Sequence, residues 1–401
     1  MNTPRSGPIR RRPWNMETMA VYALYATVFF APISKALTEI FSSIVLLFWL
    51  ISQIQSPAGK WNFLRDSAFR LLLLFLAVVL ISALGIEPDL RSRGLRGLLK
   101  WLQYLGIFAA AADLCKSPDR IEKLIKVFMA SMLLVTVDGI YQLITGVDFL
   151  RAHPLHPGRI ARMTGPMGAP TLLAAFYLFA APLAAALTLK APDRLKRAIW
   201  LGLSLLGLLG LILTYSRAAL FALASALILL FLRRRFLRWL PLLAAAGIAV
   251  IAIRPLRYNY LETLNAHDLS LGLRQEYWTR GFELFREKPW MGHGINTYSQ
   301  RAGEIQTMDG PYRGYAHNSY LQLAVETGGT GLLFLLAGIG AIFLTCRRSL
   351  TRNPVQTALA AGALAFLIQA FVDNHFFALE TSMIFWILFG VFLAGKNLEK
   401  T

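Results

Sequence analysis

Two arginines and one histidine stand where apolar stretches of the chain meet polar ones, and their side chains suit anion binding and proton transfer. Arg217 lies in LTYSRAALFAL, between two apolar runs with almost no loop, while Arg274 opens and His317 closes a long polar stretch. Arginine binds phosphate oxygens through two parallel N–H donors. Histidine exchanges a proton near neutral pH. These residue types predict an anion site with His317 as a candidate general base.

Each candidate also has a structural alternative. Arg217 fits a side chain that ends a helix and reaches out of the membrane, although a charge placed among apolar runs is costly and favours a function. Arg274 fits a solvated position on a helix face, and His317 fits an ordinary loop histidine. Arg159 and Arg162 precede GPMGAP, where a glycine-rich backbone can approach a ligand closely, but they equally fit anchors for lipid headgroups.

The elements that position these residues are membrane helices. The chain has 401 residues, of which 56% are apolar, and a mean hydropathy of +0.51. Continuous apolar runs long enough to cross a bilayer recur along the whole length. Runs that do not alternate predict helices, because backbone groups in lipid must be hydrogen-bonded within their own segment. We therefore expect an all-α polytopic membrane protein, with residues 1–401 forming a single domain of about 12 transmembrane helices.

The predicted spans follow the charged boundaries of the apolar runs. They are 16–34, 37–54, 68–85, 98–112, 124–144, 169–189, 198–215, 217–232, 237–253, 318–345, 355–372 and 382–396. Arg10, Arg11 and Arg12 place both termini in the cytoplasm by the positive-inside rule. Most cations on the outside are then arginines, which suits a phosphate site but is equally explained by a genome that prefers arginine.

The longest outside segment is 254–317, between the ninth and tenth spans, and we interpret it as a lid over the active site. Apolar residues from Leu273 to Phe285 recur at helical spacing, which predicts an amphipathic surface helix. Arg274 is expected to begin this helix, where free N–H groups would add to its affinity for anions. The helix is expected to end at Pro289, and GHG at 292–294 predicts a flexible turn.

The tenth span carries a polar stripe. Asn318, Gln322 and Glu326 follow His317 in steps of one helical turn. Polar side chains on a membrane helix face the protein interior or a wet cavity rather than lipid. The histidines and the two cysteines show no spacing typical of a metal site, so no metal is predicted.

Several segments, in this order, resemble the superfamily of bacterial O-antigen ligases and Wzy polymerases. These segments are RMTGPMGAPTLLA at 162–174, SRAA at 216–219, LRQEYW at 273–278, KPWMGHGINTY at 288–298, HNSYLQLAVETGGTGLL at 317–333 and VDNHFFALETSMIFWILFGV at 372–391. The chain departs from the family at Pro170 and Thr171, where asparagine is often seen.

The resemblance implies a glycosyltransferase in the bacterial inner membrane that acts at the periplasmic face. It implies inverting transfer without metal or cofactor, from an undecaprenyl-pyrophosphate-linked glycan to a sugar hydroxyl of lipid A core. Arg217 and Arg274 would hold the pyrophosphate, with Arg162, Arg159 and Asn318 as further substrate contacts, and His317 would be catalytic. Membrane lipids are expected partners, and nucleic acid is not.

Two alternatives remain open. A Wzy-type polymerase would use the same donor and another repeat unit as acceptor. A flippase or exporter of a lipid-linked glycan would bind the anion without chemistry, but the related halves and broken helices typical of transporters are not seen.

Overall fold

The computed structural model describes residues 15–55, 66–155, 161–231, 269–307, 310–312, 314–351 and 353–397. The α-helices of these ranges are α1 Met16–Phe30, α2 Lys35–Gln55, α3 Ser67–Leu84, α4 Arg91–Leu114, α5 Pro118–Thr145, α6 Pro170–Lys190, α7 Arg194–Leu213, α8 Arg217–Phe231, α9 Leu269–Glu287, α10 Tyr298–Arg301, α11 Ser319–Cys346, α12 Pro354–Gln369 and α13 Leu379–Ala394. A short antiparallel pair, β1 Ile305–Thr307 and β2 Gly310–Tyr312, lies before α11.

Every predicted span that falls in the described ranges coincides with a helix. The ninth span, 237–253, and the first part of the 254–317 segment lie outside the described residues. Of the described helices, α2, α3, α5, α6, α7 and α11 are long and apolar enough to cross a membrane, and α1, α8, α12 and α13 are shorter apolar helices. A total of twelve spans stays a prediction.

Two helices, α6 and α13, are buried on nearly all sides, and the other helices pack around them. α6 packs against α7 and α12, while α13 packs against α4, and α3 packs against α11. Every residue of α13 is buried. Peripheral helices instead expose leucines on one face, for example Leu201, Leu205 and Leu209 of α7. Exposed apolar stripes around an apolar core are typical of helices that face lipid, so the protein is a multi-pass membrane protein.

Long-range ion pairs join residues that the predicted topology assigns to the same side. Glu17 pairs with Arg120 at 2.6 Å and Asp66 with Lys396 at 2.6 Å, both at the predicted cytoplasmic end. The pairs Lys35–Glu380, Glu87–Arg301 and Asp373–Arg274 lie at the other end. The helix order therefore agrees with the alternation of loops that the charges predicted.

Two boundaries differ from the sequence predictions. α4 begins at Arg91 rather than near 98, so its first turns carry Arg93, Arg96 and Lys100 beyond the apolar part of the helix. α9 begins at Leu269, so Arg274 is not at its start. The prediction that free N–H groups of the first turn help Arg274 to bind an anion is therefore wrong, because those groups lie about a turn away.

Helix α11, a candidate membrane span, is broken at Gly328, and the break holds the loop that follows α9. The expectation that no membrane helix is broken is therefore wrong. Gly328 has φ 71° and ψ 175°, a conformation that is essentially restricted to glycine. Beside the break, the carbonyls of Val325 and Glu326 accept hydrogen bonds from the backbone N–H groups of His293 and Gly294, at 2.8 and 3.0 Å. The GHG turn predicted to be flexible is thus fastened to α11.

Replacing Gly328 by alanine is expected to destabilise the protein strongly. A Cβ at this position would lie 2.0 Å from the carbonyl oxygen of Trp290, and the backbone strain alone amounts to about 1–3 kcal/mol. Gly340→Ala in the same helix is the matched control, since a Cβ there meets open space. Thermal unfolding in detergent should show a clear loss for Gly328→Ala and no loss for Gly340→Ala. Equal melting temperatures for the two variants would contradict the break at Gly328.

Candidate active site

His317 lies at the point where the polar stretch enters α11, and it is half-buried. Its φ of 47° is left-handed, which is strained for a residue other than glycine. Both chain neighbours are held by hydrogen bonds: the Ala316 N–H donates to Gln322 Oε1 at 3.4 Å, and the Asn318 N–H donates to Asn374 Oδ1 at 3.1 Å. The surrounding structure therefore holds the backbone that carries the imidazole.

The side chain of Asn318 caps α11. Its Oδ1 accepts hydrogen bonds from the backbone N–H groups of Tyr320 and Leu321, at 3.1 and 3.0 Å, which is the usual arrangement of an N-cap asparagine. The oxygen is thus occupied in the helix itself. A substrate contact by Asn318 stays a prediction, and it would use the side-chain N–H donors.

Arg274 lies on α9 and faces the start of α11. One turn on, the ring of Tyr277 lies 5.9 Å from that of His317. Burial, together with a smaller effect of the charge of Arg274, lowers the pKa of His317 to about 4. The imidazole is therefore neutral at physiological pH. The expectation that this histidine has a pKa near neutrality is wrong for the ligand-free protein, because a buried site beside a cation disfavours a second positive charge.

Asp373 joins the helices around this site. It is buried in the short polar turn between α12 and α13, and its Oδ1 lies 3.9 Å from Arg274 Nη2. Burial raises the pKa of Asp373 to about 6, opposed by the charge of Arg274, a hydrogen bond from Gln369 and the charge of Arg162. Its backbone carbonyl accepts hydrogen bonds from Ser319 N and Oγ, at 3.2 and 2.8 Å. Asp373 thus faces two of the predicted arginines and supports the start of α11.

Arg162 connects its own loop to the turn before α8. Its Nε donates to the carbonyl of Thr214 at 2.9 Å, and the Met163 N–H donates to the carbonyl of Leu213 at 3.2 Å. Arg217, three positions after Thr214, is half-buried and is the first residue of α8. Because α8 packs against α12, the segment that carries Arg217 lies beside the helix that leads to Asp373. Arg159 lies outside the described residues.

The polar stripe of α11 is structural. Gln322 and Glu326 are both buried, which confirms that the stripe faces the protein interior. The carboxylate of Glu326 accepts the backbone N–H groups of Asn296 and Tyr298 at 2.8 and 3.2 Å, and the side-chain amide of Gln322 at 3.2 Å. The stripe therefore anchors the loop after α9 beside His317.

His375 is a further buried histidine near Asp373. Its Nε2 lies 3.8 Å from Asp373 Oδ2, and its ring packs against Phe366. Burial lowers the pKa of His375 to about 3, so this imidazole is also neutral. The sequence leaves open whether Asp373 and His375 help to form a site or only pack, although an acid in VDNH between two apolar helices is a usable signal.

No group of three His, Cys, Asp or Glu side chains that could hold a metal ion occurs in the ranges that the structure describes. Independence from metal stays a prediction. The side chains that do converge are Arg274, which lies beside the acidic Asp373, and the neutral His317, while Arg162 is near enough to Asp373 to lower the pKa of that carboxyl. Such a set can bind an anion and accept a proton.

Replacing Asp373 by asparagine is expected to lower the kcat/KM of any reaction at this site by about tenfold or more, since small displacements of a positioning group cost up to about 10²-fold. Asparagine keeps the shape but removes the charge that orients Arg274. Glu87→Gln is the matched control, because Glu87 is an exposed acid paired with Arg301 at the same end of the protein. Unchanged kinetics in Asp373→Asn, or an equal loss in the control, would contradict a positioning role.

One comparison with known families matches a part of the chain that includes some residues of this site. Residues 202–336 match the Wzy_C family model, described as O-Antigen ligase. The matched stretch includes Arg217, Arg274 and His317, whereas Arg162 and Asp373 lie outside it. No curated protein matches the chain. The chain therefore carries a Wzy_C domain, consistent with a member of the O-antigen ligase family.

Proposed function

We propose that this protein is a metal-independent, inverting glycosyltransferase that moves O-antigen polysaccharide from undecaprenyl pyrophosphate to a sugar hydroxyl of lipid A core. The reaction would take place at the periplasmic face of the inner membrane, as a late step of lipopolysaccharide biosynthesis. The observation that carries the proposal is the convergence of Arg274, Asp373 and His317 at one end of the helix bundle, within and beside the matched ligase domain.

The chemistry requires no group beyond these side chains. The acceptor hydroxyl oxygen forms a bond to the anomeric carbon of the donor, and the bond from that carbon to the pyrophosphate oxygen breaks. The hydroxyl proton passes to a ring nitrogen of His317, and undecaprenyl pyrophosphate leaves with its electron pair. Attack from the side opposite the leaving group inverts the anomeric centre. Guanidinium groups can stabilise the charge that develops on the leaving oxygen.

The electrostatics couple donor binding to the base. In the free protein, Arg274 contributes to the low pKa of His317. A pyrophosphate bound at Arg274 would offset that charge, and a nearby anion favours the protonated form of histidine. The basicity of His317 would thus rise when the donor is in place. His317 would therefore stay unprotonated until the donor is bound, and it would become a stronger base only then.

The acceptor distinguishes the two enzymatic readings of the family. A Wzy-type polymerase would hold the same donor through the same arginines and would differ only in the hydroxyl that attacks. The His317–Asn318 pair before a glycine-containing helix favours the ligase. A flippase would leave the strained, positioned His317 without a chemical role.

The test is a product analysis with purified protein. The protein in detergent is given undecaprenyl-pyrophosphate-linked glycan together with either lipid A core or a second lipid-linked repeat unit, with and without a chelator. We expect glycan attached to lipid A core, and the same yield with chelator. Longer lipid-linked glycan in the second arm would establish the polymerase instead. An absence of product in both arms would contradict a transferase, and loss of product with chelator would contradict metal independence.

A further inference from the structure

Helix α9, which carries Arg274, is attached to the bundle by a small apolar cluster of its own. The buried members of this cluster come from α9, from α10 and its end, and from the residues around the start of α11: Tyr277, Tyr298, Ala302, Ala316, Leu321 and Val325. The cluster is separate from the main core that packs the membrane helices. Because few buried apolar contacts hold α9, single polar contacts have more weight in fixing its position.

Tyr298 provides a polar contact between α9 and this cluster. Its side chain is fully buried, and its hydroxyl donates a hydrogen bond to the backbone carbonyl of Tyr277 at 2.6 Å. Burial raises the pKa of Tyr298, so the hydroxyl stays protonated and remains a donor. The backbone N–H of Tyr298 donates to Glu326 Oε1 at 3.2 Å. Tyr298 therefore links α9 to a buried acid of α11.

One face of α9 lies directly against α11. A Cβ on Gly281 would lie 2.9 Å from Leu321 Cδ2 and 3.3 Å from the hydroxyl oxygen of Tyr298, so the two helices are close at this point. Arg274 and Tyr277 precede Gly281 by seven and four positions, which places all three on the same face of the helix. The contact at Gly281 and the hydrogen bond from Tyr298 therefore determine which face α9 presents to the start of α11.

This face of α9 produces two effects on His317. The ring of Tyr277 lies 5.9 Å from the imidazole, and Tyr277 is itself buried. Burial is the larger cause of the low pKa of His317, and the charge of Arg274 is the smaller one. A displacement of α9 would uncover the imidazole and move the cation away from it. Both changes favour the protonated form of histidine.

The other titratable groups near His317 do not duplicate these effects. Asp373, in the turn after α12, lies across from Arg274 at 3.9 Å, and Glu326 lies more than two helical turns further along α11. Among the residues that the structure describes, Arg274 is the charge that contributes to the pKa of His317. The proton affinity of His317 therefore reports the position of α9.

We infer that Tyr298 is a positioning residue, whose hydroxyl holds α9 so that Arg274 and the ring of Tyr277 meet His317 in one fixed arrangement. For its catalytic consequence, the inference rests on the proposed function. One fully buried hydroxyl would then set the place of the base and of a pyrophosphate-binding cation together.

The test follows the protonation of His317 in the ligand-free protein, by NMR of labelled histidine in detergent. The chain has six histidines, and the signal of His317 is the one that His317→Ala lacks. Tyr298→Phe keeps the ring and removes the hydroxyl. It is expected to raise the proton affinity of His317 about tenfold, since loss of one hydrogen bond shifts a local equilibrium by up to about that factor. At about pH 5, more of the imidazole should be protonated in this variant than in wild type.

Tyr177→Phe is the matched control. It removes an equally buried hydroxyl, which is hydrogen-bonded to Thr136 Oγ1 at 2.9 Å in the main core, and it should leave the titration of His317 unchanged. An unchanged proton affinity in Tyr298→Phe, or an equal change in both variants, would overturn the inference.

A second variant keeps the test valid if Tyr298→Phe does not fold. Tyr277→Leu removes the ring beside His317, whereas the hydrogen bond from Tyr298 is retained because its acceptor is the backbone carbonyl at position 277. The proton affinity of His317 should rise in this variant as well. A titration identical to that of wild type would show that the face of α9 does not act on His317, and the inference would fail.

Kinetic measurements separate this inference from the proposed function. Tyr298→Phe should lower the single-turnover rate about tenfold, as expected for displaced reacting groups, and should move the acid limb of kcat/KM to higher pH. Tyr177→Phe should change neither. If no acceptor supports transfer but the NMR difference remains, the proposed function fails and the positioning role stands. If transfer proceeds and His317 titrates in Tyr298→Phe as in wild type, the positioning role fails alone.

Discussion

His317→Ala is expected to lower transfer from the lipid-pyrophosphate donor by about 10²–10⁴-fold, the contribution typical of a general base. The variant should still insert in the membrane, because removal of a half-buried loop side chain leaves the cap at Asn318 and the bonds of its neighbours in place. The measurement is the single-turnover rate with donor bound. Retention of the wild-type rate in purified protein would eliminate His317 as the base.

The dependence on pH gives an independent check on the same residue. His317 acts as a base only when it is neutral, so the rate rises with pH through its pKa. For the free enzyme, the fall in kcat/KM for the donor that is due to His317 should appear only as the pH falls toward about 4, where burial and Arg274 hold the pKa of His317. The acid limb of kcat, which reports the donor complex, should lie at higher pH. A limb at lower pH in the complex would contradict the coupling between the donor and His317.

Asp373 titrates at higher pH than His317 in the free enzyme, because burial raises the pKa of Asp373 to about 6. Its effect on the profile can be removed, since the asparagine at 373 does not ionise. The acid limb that remains in Asp373→Asn should therefore belong to His317. Loss of every acid limb in that variant would assign the titration to Asp373 instead.

Arg274→Ala has the second large expected effect, a loss of about 10²–10³-fold in kcat/KM, as is typical when one preorganised charge-stabilising donor is removed. Donor affinity should fall because the pyrophosphate loses a two-donor partner. Arg274→Lys should recover only part of the loss, since an ammonium cannot form the parallel pair of bonds. Arg286→Ala is the matched control, an exposed arginine near the end of the same helix.

The same variant should shift the pH profile in a defined direction. Removal of the positive charge beside His317 raises the pKa of the imidazole, so the acid limb of kcat/KM in Arg274→Ala should move to higher pH. A purely structural defect would lower the rate without this shift. Donor binding at wild-type affinity would exclude Arg274 from the pyrophosphate site.

The sequence by itself determined which segments are helices and which ends of those helices lie together. The composition of each apolar run determines that the run is helical, because insertion in an apolar environment and hydrogen bonding within the backbone depend on that segment alone. The charged residues at the ends of the apolar runs likewise predicted which helix ends lie on the same side of the protein. The ion pairs Glu17–Arg120 and Asp66–Lys396 agree with that prediction. Arg274 and His317 could be selected from residue type and position, since few polar groups interrupt the apolar pattern.

Only the tertiary structure decided what those residues face. Asp373 meets Arg274 because α9, α11 and the turn after α12 converge, and no local pattern encodes that meeting. The pKa of His317 depends on burial by several segments and on a charge from another helix. The residue type alone predicts a pKa near neutral pH, whereas the fold lowers this pKa to about 4. The contact between α4 and the loop after α9 arises in the same way, because glycine at 97 lets that distant loop pack onto α4. Pairwise contacts between remote segments set geometry and electrostatics, whereas local composition sets the helices.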